Sequence, residues 1–354
     1  MKNISIVPKY TFGEGSISSL EDILRAKRTE GSAVLFLIDE FFEGKSMERI
    51  LPVKESDILI FVSTNHEPKA EYIDILADAI KHRCQKNLPA AVIGMGGGTV
   101  MDISKCVSIL LTNPGKAEDY QGWDLVRNPG IYKIGIPTIS GTGAEASRTG
   151  VFTSKKAKLG MNSDYSLFDQ IILDPNLIKT APKEQFLYTA MDCYAHDVEL
   201  LKSNNNEMTR ALAKSSLDAL KEALKDPQNI DYGKLMIASY LGGSAMLGAS
   251  GGHLCHPVSY GLGFVLGLRH GMSVCLAFNA LEDYYPEYIN DFRNIFEKFS
   301  VELPKNITKE ATEEQFDAMA EATLKNEKPL EVAFGKDWRE IFTKEKVKEI
   351  FKKI

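Results

Sequence analysis

Up to about residue 180 short β-rich, mostly apolar runs at 33–38, 57–62, 90–93 and 132–136 alternate with amphipathic stretches such as 69–83 and 102–111. Runs of this length with helical stretches between them predict a parallel sheet covered on both faces, because a strand buried from both sides needs no polar alternation. From residue 182 onward the spacing is helical, with 187–200, 206–225 and 231–247 as candidate helices between Gly-rich and Pro-containing joints. The pattern therefore predicts an α/β domain over residues 1–179 followed by an all-α domain over 180–354. No internal repeat or low-complexity tract is present, and the Lys-rich end at 344–353 reads as a solvated helix face.

Composition narrows the function more than the fold. With 354 residues, 44% hydrophobic and 25% charged, the chain is long enough for two cores. A net charge of −6 and the absence of a basic stripe argue against a nucleic-acid partner. The five cysteines are odd in number and scattered, with no CxxC pair, as expected of reduced thiols in a cytoplasmic protein. Cys193 and Cys255 stand beside candidate ligands but read as small buried side chains. No secretory leader is expected from Lys2 and Lys9, and no run approaches the roughly 20 apolar residues of a membrane span, so neither export nor membrane insertion is expected.

Two groups of residues carry chemistry. Asp192 and His196 are four apart in a stretch without Gly or Pro, so one helix face presents both, and His256 and His270 follow in other segments. A carboxylate and three imidazoles suffice to bind Zn²⁺ or Fe²⁺. Separately, the apolar run 90–93 leads into Gly94-Met-Gly96-Gly97-Gly98-Thr99 and then an apolar helix start. A strand, a glycine turn and a helix N-terminus form the Rossmann-like arrangement whose bare N–H groups receive a pyrophosphate, although the GxGxxG spacing is not met. Asp39 ends the run 33–38, where a carboxylate accepts from an adenosine ribose and repels a 2′-phosphate, so NAD is expected over NADP.

These motifs, in this order, resemble the metal-dependent alcohol dehydrogenases known as iron-containing or group III. The family pattern G-G-G-[ST]-x-x-D-x-x-K is met by Gly96, Gly97, Gly98, Thr99, Asp102 and Lys105. P-T-x-x-G-T-G-x-E is met by Pro137, Thr138, Gly141, Thr142, Gly143 and Glu145, and a D-P segment by Asp174-Pro175. D-x-x-x-H-x-x-E is met by Asp192, His196 and Glu199, and the resemblance spans about residues 5 to 285. It implies that Gly96, Gly97, Gly98, Thr99, Asp102, Thr138, Thr142 and Lys158 contact the cofactor together with Asp39; Lys155 and Lys156 read as solvated. The two remaining family ligands stand fourteen positions apart, the later followed by Gly, which His256 and His270-Gly271 satisfy and His253 does not. His253 is left as a residue of the reaction pocket. Where many members carry a further histidine, this chain has Tyr260, so the proton relay is expected from Tyr260 or His253, or through cofactor ribose hydroxyls and water.

The resemblance implies metal-assisted hydride transfer from an alcohol to NAD. Zinc is expected over iron because it binds a mixed nitrogen and oxygen set more tightly at equal availability. The boundary near residue 180 leads to the expectation of a reaction centre in a cleft between the domains, and a homodimer is expected. Length, the opening ten residues and the Tyr260 region are similar to the branch that oxidises the terminal C8 hydroxyl of the sugar acid keto-deoxyoctulosonate (Kdo) on the way to 8-amino-Kdo and lipopolysaccharide sugars. A sugar acid would need a cation for its carboxylate, and Arg148 and Arg269 are the candidates. Other readings of the same motifs are an NADH-dependent reductase of a small aldehyde, a lyase or cyclase in which NAD acts transiently, and a nucleotide-binding regulator with a structural metal.

Overall fold

The computed structural model describes residues 4–29, 31–45, 50–85, 87–155, 157–249 and 254–354. Contacts divide the chain into two compact units. One takes Ser5–Ile139 and Ala144–Thr180; the other takes Ala181–Ile354 together with Ile4 and Ser140–Gly143.

Among the described residues the first unit holds nine strands: β1 (Tyr10–Phe12), β2 (Val34–Asp39), β3 (Ile58–Val62), β4 (Ala91–Gly96), β5 (Gly122–Trp123), β6 (Lys133–Pro137), β7 (Thr149–Thr153), β8 (Lys158–Asn162) and β9 (Gln170–Leu173). Its helices are α1 (Leu20–Arg25), α2 (Ala70–Cys84), α3 (Gly98–Leu110) and α4 (Pro175–Ile178). Six strands form one sheet in the order β1-β9-β6-β4-β2-β3, every pairing parallel. Alternate side chains of β2 separate the two cores: Leu35 and Leu37 pack with α2 and α3, whereas Val34, Phe36 and Ile38 pack with Leu20 and Leu24 of α1. This period of two, with both faces covered, explains why the strands read as unbroken apolar runs. Helix α2 buries Ile73, Leu76, Ala77 and Ile80 at three- and four-residue spacing.

The sequence pattern did not anticipate the small second sheet β5-β8-β7, whose β7–β8 hairpin is antiparallel. It is held by a buried cation. Lys105 on α3 sends Nζ to the carbonyl oxygens of Ala144 (2.5 Å), Thr149 (2.8 Å) and Ser147 (3.0 Å) and to the Ser147 hydroxyl (3.1 Å).

The second unit is helical: α5 (Lys183–Lys202), α6 (Glu207–Ala223), α7 (Tyr232–Gly248), α8 (Cys255–Leu266), α9 (His270–Ala280), α10 (Pro286–Lys298), α11 (Glu313–Leu324), α12 (Glu327–Phe334), α13 (Trp338–Ile341) and α14 (Lys344–Lys352). Residues 186–200 of α5 are all buried, so this helix is the centre of the unit. The stretch Ser140–Gly143 lies against it. Gly141, at φ 147°, leaves only 1.8 Å between an added Cβ and the Thr189 carbonyl oxygen, and Gly143, at φ 63°, abuts the Gly243 backbone. Ser239 of α7 fixes this stretch, its hydroxyl accepting from the amides of Gly141 (3.1 Å) and Gly143 (3.3 Å). Among the described residues no helix is long and apolar enough to cross a membrane.

Candidate metal and nucleotide sites

Asp192, Asp197 and Glu199 are all fully buried in α5, an arrangement that is expensive unless each carboxylate is matched. Asp197 turns toward α6 and accepts from Ser216 at 2.6 Å, and burial pushes its carboxyl well above the usual range. Asp192 and Glu199 face histidines instead. Asp192 Oδ1 is 3.6 Å from His196 Nε2 and 3.2 Å from His256 Nε2, and Oδ2 is 3.7 Å from His270 Nε2. The His196 and His256 rings stack at 3.8 Å.

Local sequence explains how the four groups meet. Asp192 and His196 share a face of α5 by their spacing. His256 is in the first turn of α8, where the following Pro257 is tolerated because first-turn N–H groups lack helical partners anyway. His270 opens α9, and an added Cβ at Gly271 would meet the Tyr188 carbonyl at 3.1 Å, so a side chain there would push α9 away from α5. Asp192, His256 and His270 offer donor atoms within 4.8 Å of one another, as do His196, Glu199 and His256.

The carboxylates and imidazoles of this cluster perturb one another strongly. Burial alone would raise the Asp192 carboxyl, but His270, His196 and His256 outweigh it and bring it to about 2. Burial alone would lower the His256 imidazole, yet Glu199 and Asp192 push it up to about 10. The Oδ2 atom of Asp192 is buried and makes no hydrogen bond. Two buried carboxylates, one with an oxygen left over, among three imidazoles fit a divalent metal ion of the nitrogen- and oxygen-binding kind.

Glu199 was visible in the sequence only as part of a motif, without a role. Its carboxylate pairs with His256 Nδ1 and accepts from the Cys255 amide (2.5 Å) and the Tyr285 hydroxyl (3.4 Å). Tyr285 carried no sequence signal. Tyr260, one helical turn beyond His256, is half-buried with its ring 6.0 Å from that of His270. His253 lies outside the described residues. Arg148 pairs with Asp124 and with Asp164 (3.2 Å), whereas the exposed Arg269 donates to Gln185 (3.2 Å) beside His270.

In the first unit, β4 ends at Gly96, Gly97 caps α3 and the helix begins at Gly98, with Thr99 following. Gly94 and Gly96 have no room for a Cβ, which would come within 2.5 Å of Ser104 Oγ and 2.6 Å of Val100 Cγ2, so α3 packs directly on its strand. The chain passes from β2 to the β3 edge and resumes at β4 on the other side of β2, which makes the carboxyl ends of β2 and β4 the usual place for a nucleotide. Asp39 stands there. Its carboxylate accepts from the Phe41 amide (3.0 Å) and the Thr64 hydroxyl (3.2 Å), and its Cβ lies 3.2 Å from where a Gly96 Cβ would be. Thr138 is buried and donates its amide to Gly96 O (3.0 Å). Lys158 on β8 is buried against Glu67 Oε2 (3.1 Å). Asp102 is half-buried beside Lys105 in this unit, and Thr142 belongs to the Ser140–Gly143 stretch of the helical unit.

A glycine turn under a helix N-terminus in one unit and a buried carboxylate–imidazole cluster in the other define a metal- and nucleotide-dependent oxidoreductase. The sequence model for "Iron-containing alcohol dehydrogenase" matches residues 8–175, and that for the C-terminal part of the Fe-containing alcohol dehydrogenase family matches residues 186–331. The chain belongs to the iron-containing alcohol dehydrogenase family and is a metal-dependent, NAD-linked enzyme of that class. It is 27% identical over 284 residues to the NAD-dependent methanol dehydrogenase of Bacillus methanolicus, covering 77% of this chain and 73% of that protein. It is 30% identical over 199 residues to the sulfoacetaldehyde reductase of Bilophila wadsworthia, covering 54% of this chain and 50% of the relative. The fold is that of 1,3-propanediol oxidoreductase (TM-score 0.83, 20% identity, 99% of each chain covered) and of an alcohol dehydrogenase from Oenococcus oeni (TM-score 0.82, 23% identity, 99% of each).

Proposed function

We propose that this chain oxidises the terminal C8 hydroxyl of Kdo, or of a closely similar sugar acid, to the aldehyde, with Asp192, His196, His256 and His270 holding a zinc ion and the glycine turn holding NAD. The carrying observation is the buried, hydrogen-bond-free Oδ2 of Asp192 opposite His270 Nε2, in a cluster whose donor atoms lie within 4.8 Å of one another. Zinc is preferred to iron because it binds a mixed nitrogen and oxygen set more tightly at equal availability. When bound, the ion supplies a Lewis acid that acidifies an alcohol, and NAD supplies the hydride acceptor.

The chain's own residues bind, orient and move the proton. Gly96, Gly97, Gly98 and Thr99 present backbone amides to the pyrophosphate, while Thr138, Thr142, Asp102 and Lys158 line the rest of the nucleotide's path. Asp39 accepts from the adenosine ribose and repels a 2′-phosphate. The Tyr260 hydroxyl takes the polar position beside His270 and hands the alcohol's proton to solvent. Arg269 is the carboxylate partner, since Arg148 already serves two aspartates. Support for the sugar acid is the likeness of the opening sequence, the length and the Tyr260 region.

The test is turnover of metal-replete enzyme with NAD and a panel of sugar acids, run beside NADH with small aldehydes, with the metal and nucleotide that co-purify identified by mass. Oxidation of Kdo at C8 with zinc in the protein is expected. Activity confined to small aldehydes would replace this reading by the reductase, and turnover of nothing would favour a regulator. Arg269→Ala is expected to raise KM for the acid while leaving that for a neutral alcohol unchanged.

A further inference from the structure

Glu199 has both carboxylate oxygens committed within its own unit. Oε2 pairs with His256 Nδ1, and Oε1 accepts from the Cys255 amide at 2.5 Å and from the Tyr285 hydroxyl at 3.4 Å. The Cys255 amide belongs to the first turn of α8, where backbone donors have no helical acceptor, so Glu199 satisfies a helix end and grips the next residue's ring with the same group. The His256 ring is thereby held at both nitrogens, with Nε2 on Asp192 at 3.2 Å. A ring flip would break the contacts at both ends.

We propose that Glu199 is a positioning residue for the metal: it fixes the His256 ring with Nδ1 toward itself and Nε2 toward the ion, and Tyr285 in turn fixes Glu199. The proposal rests on the metal site described above and adds to it a role for two residues that are not themselves ligands. A carboxylate behind a liganding imidazole selects the tautomer and makes the ligating nitrogen more basic. Glu199, His196 and His256 also lie close enough to form a ligand set. That alternative requires Glu199 to surrender His256, leaving a buried imidazole nitrogen without its acceptor, which is costly.

The experiment uses the full chain stripped of metal. The Zn²⁺ dissociation constant is measured by competition with a chelator, and the visible spectrum is recorded after loading with Co²⁺, for wild type, Glu199→Gln and Tyr285→Phe. Glu199→Gln is expected to weaken binding on the order of 10- to 100-fold. Its Co²⁺ bands should move while keeping their intensity, which reports coordination number. Tyr285→Phe should shift both readouts in the same direction by a smaller amount, and it carries the test if Glu199→Gln does not fold. Binding within twofold of wild type and an unmoved spectrum in the folded variants would overturn the proposal. So would an intensity change showing one ligand fewer, since Glu199 would then be a ligand. A wild-type chain that takes up no metal would instead overturn the metal reading itself, a result distinguishable from either.

Discussion

The ammonium of Lys105 lies 2.8 Å from the carbonyl oxygen of Thr149, and the same nitrogen binds the carbonyls of Ala144 and Ser147. A buried charge placed this way acts as a pin for the chain that runs from the family's threonine loop into β7. Lys105→Met keeps the volume and removes every one of these bonds. It is expected to destabilise the first unit by about 3 kcal/mol, lowering its melting temperature, followed calorimetrically, on the order of 5–10 °C.

Asp102 gives this pin a pH dependence. Burial, the largest influence, together with Glu67 raises its carboxyl to about 7 against the opposing pull of Lys105, the Val151 amide and Lys158. The folded state therefore holds a proton that the unfolded chain releases near pH 4, so this group's stabilising contribution is present at low pH and fades as pH rises through about 7. Lys105, lowered to about 8 by burial despite Asp102, acts oppositely, restoring stability between about 8 and 10.5. Asp102→Asn is thus expected to be more damaging, relative to wild type, at pH 5 than at pH 7.5. Melting temperatures across that interval check the sign.

Asp192 and His270 differ in exposure, and this separates binding from folding. Asp192 is fully buried, whereas the His270 side chain is 28% exposed. His270→Ala should leave the metal-free melting temperature within a few degrees of wild type yet lose metal on dialysis. Asp192→Ala should lose both, since it strands three imidazoles, two of them buried. Elemental analysis beside calorimetry distinguishes the two outcomes.

The Asp39 carboxylate sets the nucleotide choice in the proposed reading. Replacing it by Ser keeps a hydrogen-bonding group while removing the negative charge at the end of β2. The ratio of kcat/KM for NAD to that for NADP is expected to fall about tenfold or more, equivalent to roughly 1.4 kcal/mol. An unchanged ratio would place the ribose elsewhere.

Gly141→Ala is expected to prevent folding of the helical unit or to destabilise it by more than about 4 kcal/mol. The added carbon would fall 1.8 Å from the Thr189 carbonyl oxygen, at a backbone angle that disfavours side chains. Circular dichroism on heating reads this directly.

Strands β2, β3, β4 and β6 were legible because burial on both faces writes itself as largely apolar runs, whereas the short β1 and β9 were not, and the helix that carries Asp192 was legible because no Gly or Pro interrupts it. The turn of α8 and α9 toward α5 was legible only through the family's spacing, since nothing local in residues 256–270 says which helix they will meet. The antiparallel β7–β8 hairpin escaped notice because Gly150 and Gly160 break its apolar alternation. Glu199 and Tyr285 escaped for a different reason. A carboxylate three residues past a ligand looks like an ordinary helix charge until its burial is known, and a tyrosine 86 positions away carries no periodic signal at all.

The four residues Ser140–Gly143 make the helical unit discontinuous in sequence. A gene cut at residue 180 would deliver α5 without the peptide that covers its Thr189 carbonyl and fills the seat at Gly243. The two halves of this enzyme are therefore not interchangeable cassettes. Recombination between relatives should respect the loop and the helix together, and chimaeras that take both from one parent should outlive those that split them.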